Sequence, residues 1–183
     1  MAVTKKEQRK TIDKIFIWLG TIMMLVFIAA GAIAWKGYTF ATDQVKTELS
    51  SQKIYFPAKG SPGFDPKEFP DIQQYAGQLV DSGDKAKAYA NGYIGRHLEK
   101  IAAGKTYAEV SALAMASPTD AKLQAQKATL FQGETLRGLL LGSGYSYWTM
   151  GMLAHDAAFV FFAGAAVMAA LVLMGIGHLK RLR

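Results

Sequence analysis

The pair His155-Asp156 comes nearest, by residue type, to a chemical site in this chain. A His beside an Asp occurs in metal-dependent hydrolases, where further His and Asp ligands complete the metal site. The other histidines here are His97 and His178, and neighbouring residues on a helix point about 100° apart. We therefore predict a polar pair at the rim of a long apolar stretch, either solvated or facing a partner, rather than a metal site.

The other candidates for chemistry lack the neighbours that the chemistry needs. His97 stands with Arg96 and Glu99 on the polar side of a predicted helix, which is typical of a solvated surface. Ser143 lies between two glycines but follows no strand, as a nucleophile elbow would require. The sequence has no cysteine, which excludes thiolate metal sites and a cysteine nucleophile. We predict no catalytic residue, no metal site and no cofactor, and a protein that is not an enzyme.

Two long apolar stretches dominate the rest of the sequence. Residues 15–35 carry no charged side chain, and residues 153–176 carry only Asp156. About 20 apolar residues in a helix, rising ~1.5 Å each, cross the ~30 Å of hydrocarbon in a bilayer. No segment alternates as a strand would. The sequence therefore predicts an all-α membrane protein in which two transmembrane helices flank a small extracytoplasmic helical domain, residues 36–152.

Residues 1–34 also resemble a signal peptide, because a basic start precedes an apolar run and Ala32-Ile33-Ala34 looks like a cleavage site. The apolar run is about 20 residues long, however, whereas the hydrophobic region of a signal peptide has ~7–15. Trp35 would also follow the cut directly. We therefore expect residues 15–35 to stay in the protein as its first transmembrane helix.

The net charge of +7 is concentrated beside the two apolar stretches. Residues 1–14 contain five Lys or Arg against two acids, and residues 180–183 contain three basic residues and no acid. Residues 36–152, by contrast, hold 13 basic and 11 acidic residues, which argues against a nucleic-acid partner. Because basic flanks stay in the cytoplasm, we predict a multi-pass plasma-membrane protein with cytoplasmic tails, 1–14 and 177–183, and the central domain outside.

Aromatic residues gather at the predicted boundaries of both spans. Trp and Tyr rings favour the level of the lipid headgroups, so membrane lipids are their expected partners. The residues predicted to lie at these lipid interfaces are Trp18, Trp35, Tyr38, Tyr145, Tyr147 and Trp148.

The segment between the spans shows the start and stop signals of helices. The first span is expected to continue through residues 39–52, where apolar positions share one stripe. Thr106 and Glu109 match a capping box at a helix start. Gly142-Ser143-Gly144 interrupts the helical pattern before the second span. The helices predicted in between cover residues 71–80, 85–104, 106–116 and 119–141.

Residues 53–70 contain four of the five prolines, which forbid a regular helix, and no strand partner is evident. The segment is nevertheless too rich in apolar residues for a solvated linker. We expect an extended, Pro-rich arm that lies either on its own domain or on a partner. The arm residues predicted to bind a partner are Tyr55, Phe56, Phe64 and Phe69.

Small residues form a stripe on the second predicted span. Such residues let helix backbones approach closely, which favours association in lipid. The stripe packs either on a partner or on the chain's own first span, where Ala30, Gly31 and Ala34 are also small. The residues of the second span predicted to bind a partner are Ala163, Ala166, Ala170, Phe159 and Phe162.

The first span, residues 88–110 (AYANGYIGRHLEKIAAGKTYAEV) and residues 135–141 (TLRGLLL) give the chain a family resemblance. It resembles a group of small actinobacterial two-span membrane proteins that are often labelled, misleadingly, as aromatic ring-opening dioxygenases. The features that match the group are Tyr89-Ala90, His97, the box from Gly104 to Glu109, and Arg137 ahead of the last helix. The insert GSGYSYW (142–148) departs from the pattern.

The resemblance implies an accessory subunit of a larger complex, and the actinobacterial cytochrome bc–cytochrome oxidase supercomplex is the one it suggests. The iron site of His and Glu that the dioxygenase label implies is not found in the sequence. Our leading hypothesis is a non-catalytic accessory or structural subunit of a larger integral membrane complex, with a respiratory complex as partner. The alternative is a free-standing membrane-anchored protein whose outer domain binds a ligand or envelope component, with Tyr89, Tyr93 and Tyr107 lining the pocket.

Overall fold

The computed structural model describes residues 4–181, and within that range the chain is all-helical, with no β-strand. The α-helices are α1 (Lys5–Ser51), α2 (Gly83–Lys87), α3 (Arg96–Ala102), α4 (Tyr107–Ala116), α5 (Ala121–Leu139) and α6 (Tyr147–Arg181). A short 3-10 turn covers Gln73–Tyr75, and two wider π-helical stretches cover Ala88–Gly95 (the first π segment) and Leu140–Ser146 (the second π segment).

The chain divides into two compact units. One combines the residues up to Phe40 with those from Gly151 onward, and we call it the two-helix unit. The other comprises Ala41–Met150, and we call it the helical domain.

The two-helix unit consists of the apolar parts of α1 and α6. The helix α1 and the continuous helical stretch 121–181 are each long and apolar enough to cross a membrane. Large apolar side chains along both are exposed, among them Trp18 at 70% and Leu173 at 69%. An exposed apolar surface of this kind is unfavourable in water and favourable in lipid. Structure and sequence thus agree on an all-helical chain with two helices able to span a membrane.

Glycines set the distance between α1 and α6 in the two-helix unit. Two glycines on each helix face a bulky side chain of the other helix, and a Cβ added at any of them would lie 2.6–3.0 Å from that side chain. Bulky residues of each helix therefore fill the gaps that glycine leaves in the other. The pairs are Gly20 with Val172, Gly31 with Phe162, Gly164 with Phe27 and Gly175 with Ile17.

The Pro-rich arm, residues 53–70, folds onto the helical domain. Phe56, Phe64 and Phe69 are at most 2% exposed and belong to the domain's hydrophobic core. Full burial of a Phe side chain contributes about 1.5–3 kcal/mol to folding. The arm is therefore part of the core although it contains no regular helix.

Backbone hydrogen bonds hold the arm against residues 77–80. Tyr55 forms an isolated antiparallel bridge with Leu79, and the N–H of Val80 donates to the carbonyl of Ile54 at 2.8 Å. The sequence shows no strand partner for the arm, and its pattern predicts a helix over residues 71–80. Because the end of that segment bonds to the arm, its backbone is not available to a helix, and only the short 3-10 turn forms.

The helix predicted over residues 85–104 starts earlier and contains the first π segment. Its N-cap is Ser82, whose hydroxyl accepts a hydrogen bond from a backbone N–H of the first turn. The C-cap of α3 is Ala103, in the left-handed region with φ at +51°, and Gly104 follows it with φ at +77°. Within the first π segment, Gly92 allows the side chain of Ile72 to pack directly on the backbone, since a Cβ would lie 2.8 Å from it.

The second π segment replaces the interruption predicted at residues 142–144. The chain stays helical there and passes from α5 into α6. Gly144 packs against Ala86 of α2, where an added Cβ would lie 3.1 Å from the alanine side chain. Trp148 covers Gly83 so closely that a Cβ on that glycine would lie 2.2 Å away. The glycines thus permit close packing of α2 here rather than a break.

Candidate functional site

The buried arm lies against a stack of rings that begins in the first π segment and continues into α3. The ring of Tyr93 lies 5.8 Å from that of Phe64 and 5.7 Å from that of Phe69, between ring centroids. The imidazole of His97 stacks on Phe69 at 5.3 Å. At these distances aromatic pairs contribute about 0.5–1.5 kcal/mol each beyond burial. The rings of the arm therefore have partners within the chain.

Among the arm residues predicted to bind a partner, Tyr55 differs from the other three. Its side chain is 56% exposed, whereas Phe56, Phe64 and Phe69 are buried. The sequence left open whether the arm lies on its own domain or on a partner, and these three rings lie on the domain. A partner would reach them only by displacing the arm, so Tyr55 is the residue of this set that a partner can contact directly.

The three tyrosines predicted to line a ligand pocket do not converge. Tyr89 and Tyr93 belong to the ring stack, with centroids 5.0 Å apart, and burial raises the pKa of Tyr89 above its usual value. Tyr107 instead packs on Phe131, at 5.9 Å. The arm covers the first two rings, and the third lies in a different part of the domain.

Ion pairs hold α3 against the arm and the residue that follows it. Nη1 of Arg96 lies 2.6 Å from Oδ1 of Asp71, and this hydrogen bond lowers the pKa of Asp71. Nζ of Lys100 lies 2.5 Å from Oε2 of Glu68. His97 was predicted to lie on a solvated face. That expectation was wrong, because the arm folds over this side of the helix and stacks a ring on the imidazole.

The His155-Asp156 pair lies in the two-helix unit among aromatic rings. Nδ1 of His155 is 3.1 Å from Oδ1 of Asp156, and its ring is 4.8 Å from that of Tyr38 and 4.7 Å from that of Phe159. Among residues 4–181, no group of three His, Cys, Asp or Glu is placed to hold a metal ion. The geometry is that of a polar pair packed beside aromatic rings.

The alanine stripe of α6 points away from α1. Ala163, Ala166 and Ala170 are all exposed, whereas Ala158 and Ala165 are at most 6% exposed. The sequence offered two alternatives, packing on the chain's own first span or on a partner. The glycine pairs and the buried alanines lie in the contact between α6 and the chain's own first span. The three exposed alanines form a separate, uncovered stripe.

The two phenylalanines of α6 in the same prediction have different surroundings. Phe162 packs over Gly31 of the chain's own first span. Phe159 is 56% exposed and touches the ring of Trp35, at 6.2 Å between centroids. Phe159 therefore keeps a free face beside the alanine stripe, whereas Phe162, which is 38% exposed, also contacts the chain's own first span.

The aromatic residues predicted to lie at lipid interfaces fall into two groups. Trp18 and Trp35 are 70% and 40% exposed, as rings that face lipid would be. The hydroxyl of Tyr145 accepts a hydrogen bond from Nζ of Lys87 at 3.0 Å, which lowers the pKa of Tyr145. Trp148 packs against the core of the helical domain. Tyr145 and Trp148, which form the second group, therefore make contacts within the helical domain.

A groove of about 650 Å³ opens on the helical domain beside the second π segment. Its floor is apolar and includes Val45, Leu49 and Leu140, each at most 4% exposed. Its size lies within the ~300–1,000 Å³ typical of small-molecule sites. Polar groups stand around the apolar floor and come from Gln44, Glu48, Gln52, Ser143 and Tyr147.

Sequence reasoning missed this groove, although both of its walls had visible signals. The apolar stripe over residues 39–52 supplies one wall, and Gly142-Ser143-Gly144 supplies part of the other. The glycines were interpreted as a break, so no second wall was expected opposite the stripe. Since π-helical stretches frequently occur at functional sites, the groove is the candidate ligand site of the helical domain.

The chain matches no protein-family model, no curated protein and no solved structure. Its function must therefore be argued from the exposed face of the two-helix unit and from the groove of the helical domain.

Proposed function

We propose that this protein is a non-catalytic accessory subunit of a larger integral membrane complex. In this proposal both apolar helices span the plasma membrane, the basic tails are cytoplasmic and the helical domain lies outside. The basic residues beside each apolar stretch support that orientation. The resemblance to small actinobacterial two-span proteins makes a respiratory supercomplex the first partner to test.

The observation that carries the proposal is the uncovered alanine stripe of α6. The chain packs its own two helices through glycines, so Ala163, Ala166 and Ala170 are not needed for that contact. A stripe of small residues gives lipid little to pack against, but it lets another helix approach closely. A transmembrane helix of a partner subunit is the occupant that this stripe fits.

Asp156 adds a charge to the same face. Asp156, Ala163 and Ala170 recur at seven-residue spacing and therefore share one side of the helix. The side chain of Asp156 is 74% exposed. A carboxylate at the edge of a span is costly against lipid and is stabilised by a basic or hydrogen-bonding partner. Parallel copies of this chain would bring two Asp156 carboxylates together, which favours a different subunit as the partner.

Gentle purification through a tag placed after Arg183 tests the proposal. Mass spectrometry of the eluate and a reduced-minus-oxidised haem spectrum would be recorded on the same sample. We expect large integral subunits in stoichiometric amounts. Haem absorbance would support a respiratory complex. Its absence would indicate that the partner is a different kind of membrane complex. A lone protein of about 20 kDa would overturn the accessory role.

A matched pair of variants locates the contact. Ala166→Phe places a large ring in the alanine stripe, and Leu171→Phe places the same ring at an exposed position about 140° round the helix from Ala166. We expect Ala166→Phe to reduce the recovered partner about tenfold, since overpacking a helix contact costs ~1–3 kcal/mol, and Leu171→Phe to leave it unchanged. Equal recovery from both variants would show that the stripe is not the contact.

The groove favours a second function, a free-standing membrane-anchored protein that binds a ligand through its outer domain. A protein that purifies alone, stays monodisperse and takes up a ligand would support this function over the first. The groove, rather than the three tyrosines named from the sequence, would then be the binding site.

A further inference from the structure

The groove beside the second π segment combines an apolar floor with a single negative charge. Among the described residues that line it, Glu48 is the single charged side chain. Nε2 of Gln44 donates to Oε1 of Glu48 at 3.2 Å, and no cation of the described residues lies within ion-pair distance of the carboxylate. The carboxylate is thus oriented by an amide but not neutralised by a base of the chain.

The floor of the groove suits an aliphatic chain. Val45, Leu49 and Leu140 present hydrocarbon, and Leu139 continues it at the edge. Burial of each methylene of a ligand contributes about 0.8 kcal/mol, or roughly a fourfold gain in affinity. Gly142 has no atom within 4 Å of the position that a Cβ would occupy, so the groove is open along this wall.

We propose that this groove binds an amphiphile whose aliphatic chain lies on the apolar floor and whose ammonium group pairs with Glu48. The ammonium group is shared by the headgroup of phosphatidylethanolamine, which has no net charge, and by free long-chain amines. A carboxylate or phosphate head would meet Glu48 without a basic residue in the lining, so anionic amphiphiles are disfavoured. The proposal does not depend on whether the chain belongs to a larger complex.

Photo-crosslinking of the full-length protein in phosphatidylcholine nanodiscs tests the proposal. Three probes with the same diazirine-bearing chain and an amine, alcohol or phosphate head would be compared. Tandem mass spectrometry maps the labelled residues, and labelling of α1 before residue 36 provides an internal reference for exposure to the bilayer. We expect the amine probe to label residues 44–52 and 139–147 several-fold more than the alcohol or phosphate probe does.

Two variants and one control separate the roles of charge and space. Glu48→Gln removes the charge, and because Glu48 is exposed we expect about threefold less groove labelling by the amine probe, the size of effect found for exposed ion pairs. Gly142→Leu fills the groove without a clash, and we expect labelling there to be lost. Gly138→Leu, one turn earlier, also meets open space but lies outside the groove, and we expect no change.

Three outcomes would overturn the proposal. Equal groove labelling by the three probes would show that the head is not recognised. Unchanged labelling of the Glu48→Gln variant would exclude the carboxylate as the ammonium partner. Unchanged labelling of the Gly142→Leu variant would place the chain elsewhere.

Competition identifies the source of the ammonium group. Unlabelled phosphatidylethanolamine and unlabelled dodecylamine would be added separately to the amine-probe reaction. Loss of groove labelling with phosphatidylethanolamine supports a lipid ligand, and loss with dodecylamine alone supports a free amine. Failure of both competitors to reduce the labelling would overturn the proposal.

Discussion

The two units of this protein use the same device, glycine facing a bulky side chain, with different results. In the two-helix unit, four such pairs join α1 to α6 and leave the remaining faces of both helices exposed. In the helical domain, comparable pairs such as Gly133 with Leu98 lie within a core that the arm closes with buried rings. The arm closes the core of the helical domain, whereas the two-helix unit has large apolar side chains exposed along both of its helices.

The difference shows where this chain depends on its surroundings. Aromatic stacking and ion pairs within the chain stabilise the helical domain. Within residues 4–40 and 151–181, the packing of α1 on α6 is the contact that holds the two-helix unit together, so its stability depends on the medium and on any partner. Variants that act on one unit and spare the other test this comparison.

The largest expected effect is loss of a buried ring of the arm. Phe64→Ala should destabilise the helical domain by about 3–5 kcal/mol, because Phe64 is fully buried and the cavity is costly. Denaturant titrations would follow Trp148 fluorescence in a background with Trp18 and Trp35 replaced by Phe. The exposed arm residue provides the control, and Tyr55→Ala should cost less than about 1 kcal/mol. Similar losses from both variants would mean that the arm is not a part of the core.

A smaller effect is expected between the helices of the two-helix unit. Gly31→Val drives a side chain into Phe162 and should destabilise the helix pair by about 1–3 kcal/mol. The fluorescence of Trp18 and Trp35 during titration with a denaturing detergent would report this unit, with Trp148 replaced by Phe. Gly177→Val meets no atom within 4 Å and serves as the control. Unfolding of Gly31→Val at the same detergent fraction as the control would contradict close packing of Phe162 on Gly31.

The smallest effect concerns pH. The hydrogen bond from Arg96 lowers the pKa of Asp71, so this carboxylate stabilises the folded domain above its ordinary pKa and ceases to do so as the pH falls through the lower folded value. The pair is exposed, so the effect should stay below about 1 kcal/mol. Asp71→Asn should flatten the acid limb of the stability curve, as should Arg96→Gln. A slope that both variants retain in full would exclude this pair as its source.

The sequence predicted best those features that depend on local chemistry. The two apolar helices follow from runs without charge, and the capping box of Thr106 and Glu109 forms as expected. Each of these features is decided by a few neighbouring residues, so no knowledge of the tertiary fold was needed.

The features that escaped prediction depend on contacts between distant residues. The first π segment coincides with packing of Ile72 on Gly92, and the groove needs α1 to lie opposite the second π segment. The position of His97 was misjudged for the same reason, because the arm that covers it has no periodicity to reveal its path. Helix periodicity identifies which residues share a face, but not which segment covers that face.

The core of the helical domain joins the two ends of its sequence. The side chain of Leu49 lies close to Gly144, because a Cβ added to Gly144 would be 3.6 Å from a Cδ atom of Leu49. At ~5–20 residues per second of synthesis, the partner of Leu49 is made about 5–20 s later. During that interval the end of α1 has an uncovered apolar stripe, while the first apolar helix is already complete. During this period a chaperone can bind the apolar stripe of the nascent chain, or a protease can cut beside the stripe. The period ends once the second π segment is made.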